Sequence, residues 1–186
     1  PYKAWFEKRG IRHVSIDLNG KDGALALDLR EPLGLGTFDL VTNFGTSEHV
    51  SEQEPVWRNI AEACDKLFVS ATPTPGLYPG HGIWYPSVAF YSEFATLNGF
   101  RIERMEKVFR DAKGNRQNTY VRMRRYAKVP FQMPNPRLLH REQARDKYDG
   151  RIPHRRKGEG LCECGWWGAD QVCKGIGSNL CGKSTS

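Results

Sequence analysis

The stretch Phe38–Val50 reads F-D-L-V-T-N-F-G-T-S-E-H-V. Its first five residues, Phe38 to Thr42, have the apolar and β-branched character of a short buried strand. The residues that follow, Asn43, Phe44, Gly45, Thr46, Ser47, Glu48 and His49, have no apolar rhythm. A buried strand that gives way to polar residues and a glycine is how open α/β sheets place ligands, in the crevice beyond the carboxyl ends of the strands.

Downstream, Ser51–Lys66 predicts a helix. Ser51 with Glu54 forms a capping box, Pro55 falls in the tolerant first turn, and Val56, Trp57, Ile60, Ala61 and Cys64 recur at helical spacing. Leu67–Ala71 reads as a buried strand closed by the breaker run T-P-T-P-G. A loop over 74–86, rich in Pro, Gly and aromatics, is centred on Gly80-His81-Gly82. Ser87–Asn98 is a second amphipathic helix with Gly99 after its end. Phe100–Arg110 and Gln117–Ala127 form a hairpin whose turn chemistry comes from Gly114 and Asn115. In its second arm Tyr120, Arg122 and Arg124 alternate with Val121, Met123 and Arg125.

Upstream, residues 2–9 read as the end of an amphipathic helix stopped by Gly10. His13–Leu18 reads as a strand with Asp17 at its tip before the Asn19-Gly20 turn, and Ala24–Leu27 as another ending at Asp28. The order is helix, strand, strand, strand, helix, strand, helix, hairpin. It predicts an α/β sheet, mostly parallel, with helices on both faces and an antiparallel hairpin at its edge. From Pro130 the composition shifts to Pro, Arg, Gly and Lys, so the expected organisation is a domain over 1–129 and a basic, Cys-containing tail over 130–186.

The 186 residues hold 28 Lys/Arg against 21 Asp/Glu, and the balance is uneven along the chain. Residues 1–100 carry 8 basic and 12 acidic groups, a net of −4; residues 101–186 carry 20 and 9, a net of +11. A basic second half fits a nucleic acid or another anion, or a solvated hairpin and tail. No apolar run is long enough for a transmembrane helix and no signal-peptide pattern is visible, so a cytoplasmic setting is expected. Cys64 sits alone in a helical pattern, as a small buried hydrophobe would. Cys162, Cys164, Cys173 and Cys181 read C-x-C-x8-C-x7-C. That pattern lacks the C-x2-C knuckle of zinc ribbons, and no disulfide framework spans the body. Trp166 and Trp167 between them form either a stacking surface or a short apolar patch.

Several polar residues fit chemistry. Asp17 at a strand tip can accept hydrogen bonds from ribose hydroxyls, or simply shape the Asn-Gly turn. His49 and His81 are imidazoles poised near neutral pH, suited to general-base work. Two His and one carboxylate, as in Glu48, His49 and His81, can hold a divalent ion with open positions. Tyr78, Trp84, Tyr85 and Phe90 flank His81, as the wall of a pocket or as ordinary packing over a sheet edge.

The acidic tip at Asp17, A-L-D-L ending in Asp28-Leu29, F-D-L-V-T-N-F-G-T-S-E-H-V, L-F-V-S-A-T-P, G-H-G, N-G-F-R-I-E and the final hairpin occur in this order over Tyr2–Ala127. As a series they resemble class I S-adenosylmethionine-dependent methyltransferases, most closely those acting on small molecules or glycans. The resemblance implies a Rossmann-like sheet, seven-stranded in the family, with S-adenosylmethionine as cofactor and an oxygen or nitrogen nucleophile as methyl acceptor. Asp17 and Leu18 would then meet the ribose, Asp28 and Leu29 the adenine, and Asn43, Phe44 and Gly45 the methionine side. Small-RNA 2′-O-methyltransferases and ubiquinone-pathway O-methyltransferases of this class carry E-x-x-E-H here, and the former add a later His. In them the motif holds a divalent cation that lowers the pKa of the acceptor hydroxyl. This chain keeps Glu48, His49 and a third candidate in His81, and has Gly45 at the first acid.

The family's Gly-rich cofactor loop lies about 20 residues before the acidic strand tip. Only 16 residues precede Asp17, and they contain no G-x-G. The expectation is therefore a methyltransferase domain truncated at its N-terminus, without its first strand. Two other readings stay open: a non-catalytic relative that contacts nucleic acid through the basic hairpin and tail, and a different nucleotide-binding Rossmann enzyme. The F-D-L-V-T-N-F-G-T-S-E-H-V stretch argues against the second.

Overall fold

The computed structural model describes residues 2–77, 81–109 and 117–141. Residues 2–33 belong to one compact unit and 34–141 to another. The tail cysteines, Trp166, Trp167, Tyr78 and the Gly114-Asn115 turn lie outside the described residues.

In the first unit, helix α1 spans Tyr2–Glu7. Phe6 stacks on His13 with ring centroids 4.9 Å apart, and Ile11 N–H donates back to Phe6 O, closing the helix at Gly10 as its glycine predicts. The two strands expected at His13–Leu18 and Ala24–Leu27 do not form. They reduce to one parallel bridge between Ile16 and Leu25. The reason is local: Asp17 Oδ1 accepts from Asn19 N–H at 2.9 Å and Gly20 takes a left-handed φ of 61°, so the chain turns before a ladder can lengthen.

In the second unit a four-stranded sheet runs in the order β1-β2-β5-β4. Strand β1 is Phe38–Phe44 and pairs in parallel with β2, Cys64–Pro73. It runs two residues past the predicted Thr42 because Phe44 still pairs with Ala71. Helix α2, Gln53–Ala63, is the crossover between them. It ends three residues before the predicted Lys66: Cys64 N–H makes the last helical bond, to Ile60 O, and Cys64 is itself extended and opposite Phe38. Strand β3, Trp84–Pro86, lies inside the segment read as a loop. Helix α3, Val88–Leu97, is capped by Ser87, whose hydroxyl accepts from Phe90 N–H. Strands β4, Phe100–Phe109, and β5, Gln117–Arg125, form the predicted hairpin, antiparallel to each other, with β5 antiparallel to β2.

The fold is mixed α/β. The sheet holds one parallel and two antiparallel pairings among the described residues, so it is less parallel than expected. Of the two helices described in this unit, Trp57 of α2 and Phe94 of α3 both reach Phe68 of β2, with centroids 6.4 and 6.2 Å away, so both cover one face rather than one each. The opposite face carries Leu67 and Val69 beside Arg122 and Arg124, and a row ending in guanidinium groups resists being buried. The core is accordingly one-sided and aromatic: Trp57, Phe68, Phe90, Tyr91, Phe94, Val121 and Met123 are fully buried or nearly so.

Residues past Pro130 are also built onto this unit. Asn98 Nδ2 donates to Gln132 O and Gln132 N–H donates back to Asn98 Oδ1, each at 2.9 Å. Leu139–Arg141 forms β6, antiparallel to β3. Between α3 and β4 the chain turns at Gly99 with φ +70°, where an added Cβ would stand 2.2 Å from Ala127 O.

Trp57 meets four other rings of the core, those of Phe68, Phe90, Tyr91 and Phe94. Trp57→Ala is expected to lower unfolding stability by about 3–5 kcal/mol, measured by urea denaturation followed by far-UV circular dichroism.

Candidate functional site

The carboxyl end of β1 turns into a single 3-10 turn, Ser47–His49. That turn is fixed from beneath. Asn43 Oδ1 accepts from Ser47 N–H at 3.2 Å, and Asn43 Nδ2 donates to Ser47 Oγ at 2.7 Å and Ser70 Oγ at 3.4 Å. Gln53 Nε2 donates to Ser47 O and Val50 O, both at 2.8 Å, while Gln53 Oε1 accepts from Trp57 Nε1 at 3.0 Å. The expected Ser51–Glu54 capping box does not form, since Glu52 stands at the N-cap of α2 with no side-chain cap bond, and Gln53 instead links the turn to the aromatic core.

The turn presents Glu48 and His49, and the loop before β3 brings His81 to them. Glu48 is completely buried, and neither of its carboxylate oxygens accepts a hydrogen bond. Its Oε1 lies 3.6 Å from His81 Nε2 and 3.9 Å from His49 Nε2. The two imidazoles meet edge-on, with centroids 4.9 Å apart. One potential ligand atom from each of the three residues falls within 4.8 Å of the others. Gly82 makes the approach possible: a Cβ there would sit 2.8 Å from Glu48 Cγ. Ile83 N–H donates to Glu48 O at 2.7 Å, and Trp84 Nε1 to Ser51 O at 2.9 Å.

A fully buried carboxylate without hydrogen bonds is costly unless a cation or a proton compensates it. Two imidazoles and one carboxylate suit a divalent transition metal. The donor set therefore fits a divalent cation. Burial lowers the His49 pKa, opposed by Glu48 and assisted by His81, so His49 is neutral at pH 7 and its lone pair is available. Deeper in the site, the Tyr91 hydroxyl meets Ser70 Oγ at 3.0 Å and Thr72 Oγ1 at 2.8 Å, and burial pushes its pKa up to about 12. It stays protonated and structural.

The remaining predicted residues have other surroundings. Asn43 bonds Ser47 of the turn and Ser70 of β2; Phe44 is 59% exposed, and Gly45 follows it with φ +72°. Asp17, Leu18, Asp28 and Leu29 belong to the first unit. Asp17 shapes its turn, and Asp28 holds Arg30, with Arg30 Nη2 donating to Oδ2 at 2.6 Å. Both Asp28 oxygens accept from Arg30, Oδ1 from its backbone N–H and Nε and Oδ2 from Nε and Nη2. Sequence reasoning missed Gln53, whose signal was weak, a polar residue at the start of an amphipathic helix. Tyr85, which the sequence reading places beside His81, accepts through its hydroxyl from His81 N–H and Gly82 N–H.

No family model and no curated protein sequence matches the chain. Among solved structures, the crystal structure of magnesium protoporphyrin IX methyltransferase from Synechocystis PCC 6803 with bound SAH is similar, at 19% identity and a TM-score of 0.42. The match covers 55% of this chain and half the length of that one, and at this level neither family nor activity follows from it. Among the described residues no helix is long and apolar enough to cross a membrane.

Because His49 binds its proton less readily folded than unfolded, the unfolded chain takes up the proton first as pH falls. Stability of the metal-free protein is expected to decline as pH drops through about 6.5, the ordinary His value. His49→Gln should flatten that decline between pH 7.5 and 5.5, read by urea denaturation in the presence of a chelator.

Proposed function

We propose that the chain is part of a class I S-adenosylmethionine-dependent methyltransferase. It transfers a methyl group to an oxygen or nitrogen nucleophile of a small-molecule or glycan acceptor, and Glu48, His49 and His81 hold a divalent cation beside that acceptor. The carrying observation is Glu48, completely buried with both oxygens free of hydrogen bonds and facing two imidazoles. The motif order from Tyr2 to Ala127 supports the class, and the α/β crossover β1-α2-β2, which ends at the site, is compatible with it.

S-adenosylmethionine supplies an electrophilic methyl group, and a divalent cation lowers the pKa of an acceptor hydroxyl. The chain's own residues supply placement, which carries much of the effect in a transfer of this kind. Asp17 and Asp28 accept from the nucleoside, Asn43 and Gln53 hold the Ser47–His49 turn, and Gly82 lets the His81 loop close on Glu48. His49 stays neutral at pH 7, so it can ligate a cation or take a proton without first losing one.

Calorimetric titration tests the two halves of this reading. Manganese(II) is expected to bind one site in the wild type, and Glu48→Gln or His49→Ala should weaken it at least tenfold. S-adenosylhomocysteine is titrated into the chain and into a form extended upstream where the reading frame continues. Binding lost in Asp17→Ala and Asp28→Ala is expected. A folded extended form that binds neither probe would overturn the proposal.

One observation favours a second reading, a nucleic-acid contact on the hairpin. Glu103 accepts from Arg122 Nε at 2.8 Å and from Arg124 Nε at 2.5 Å, which leaves the outer ends of both guanidinium groups presented side by side. Both arginine side chains are nearly half exposed, and paired forks of this kind suit phosphates. On this reading a fluorescent single-stranded RNA binds with a log–log salt slope of about −0.7 per neutralised phosphate. Arg122→Glu with Arg124→Glu should abolish the binding, and no binding at low salt would exclude this reading.

A further inference from the structure

The site joins two elements that are distant in sequence, the Ser47–His49 turn and the loop ahead of β3. Asn43 and Gln53 fix the turn that carries Glu48 and His49. The backbone of His81 is held from β3. The Tyr85 hydroxyl oxygen accepts from His81 N–H at 3.1 Å and from Gly82 N–H at 2.8 Å. Two successive backbone donors converging on one oxygen fix the peptide plane between them, and with it the direction of the His81 side chain.

Tyr85 is itself held rigidly. It is completely buried, and it pairs with His140 in the β3–β6 ladder. That ladder is anchored by Ser87 N–H to Leu138 O at 3.2 Å and by buried Leu139 opposite Pro86. On the other side of the loop, Gly82 rests against Glu48, and Ile83 N–H holds Glu48 O. His81 is thus set between a tyrosine hydroxyl and the backbone of its own partner.

We propose that Tyr85 is a positioning residue of the site: its hydroxyl, by accepting from the His81 and Gly82 amides, holds His81 at the distance from Glu48 that lets the pair share one cation. The strand β6, drawn from the segment after the hairpin, transmits its rigidity to the site through Tyr85. This inference rests on the cation reading of Glu48, His49 and His81 above.

The test is a double-mutant cycle read by calorimetric titration of manganese chloride. Tyr85→Phe keeps the ring and removes the acceptor. It is expected to weaken manganese binding roughly tenfold to a hundredfold, the range usual for groups that orient a metal ligand. In a His81→Ala background the same change should cost nothing further, because its effect passes through His81. A merely structural role would lower affinity equally in both backgrounds, and that additive result would overturn the inference. So would a Tyr85→Phe protein that binds as tightly as wild type. Should Tyr85→Phe fail to fold, 4-fluorophenylalanine at position 85 fills the hydroxyl's space while accepting weakly, and the same cycle applies. Failure of the wild type to bind manganese would overturn the cation reading and this inference together, whereas wild-type binding with an additive cycle overturns this inference alone.

Discussion

A carboxylate buried without a hydrogen bond is the constraint around which the second unit is arranged. Glu48 lies in a turn that Asn43 and Gln53 hold from two sides, so it cannot swing out to solvent. Leaving such a group charged and uncompensated costs several kcal/mol in a protein interior. A fold pays that cost only where something offsets it. Here two imidazoles stand at 3.6 and 3.9 Å from it, too far for hydrogen bonds, and the three side chains are spaced to share an ion.

The scaffold explains how such a cluster stays put. The parallel pair β1–β2 ends at the site, and α2 starts immediately after it, so the turn between them has little freedom. Trp57 connects that helix to the sheet and, through its indole N–H, to Gln53. The same one-sided aromatic core that supplies stability therefore also fixes the site. The opposite face carries Leu40 and Phe44, half exposed on β1, and an arginine pair on β5, outside the aromatic core.

The two aspartates assigned to the nucleoside show the limits of local pattern. Asp17 and Asp28 were read as strand ends, yet around them the chain forms turns, with one bridge between Ile16 and Leu25. Strand propensity in these short segments was real, but a ladder needs neighbours of matching length, and the Asn19-Gly20 turn arrives too soon. Residues 130–141, whose Pro-rich composition reads as the start of a tail, are joined to the unit by the reciprocal Asn98–Gln132 bonds and the β3–β6 ladder. Such bonds join residues 34 apart in sequence, and no window of local composition contains both ends.

The sequence by itself determined the elements whose pattern is internal to them: β1, the amphipathic faces of α2 and α3, the alternation of the hairpin, and the candidacy of Glu48, His49 and His81. Period and turn chemistry are properties of neighbours along the chain, so they can be read there. Only the tertiary structure decided that both helices cover one face, that α2 gives way to strand at Cys64, and that Tyr85 holds the loop carrying His81. Each of those outcomes depends on which distant group is available to take a hydrogen bond or fill a space, and that becomes defined only when the chain closes on itself.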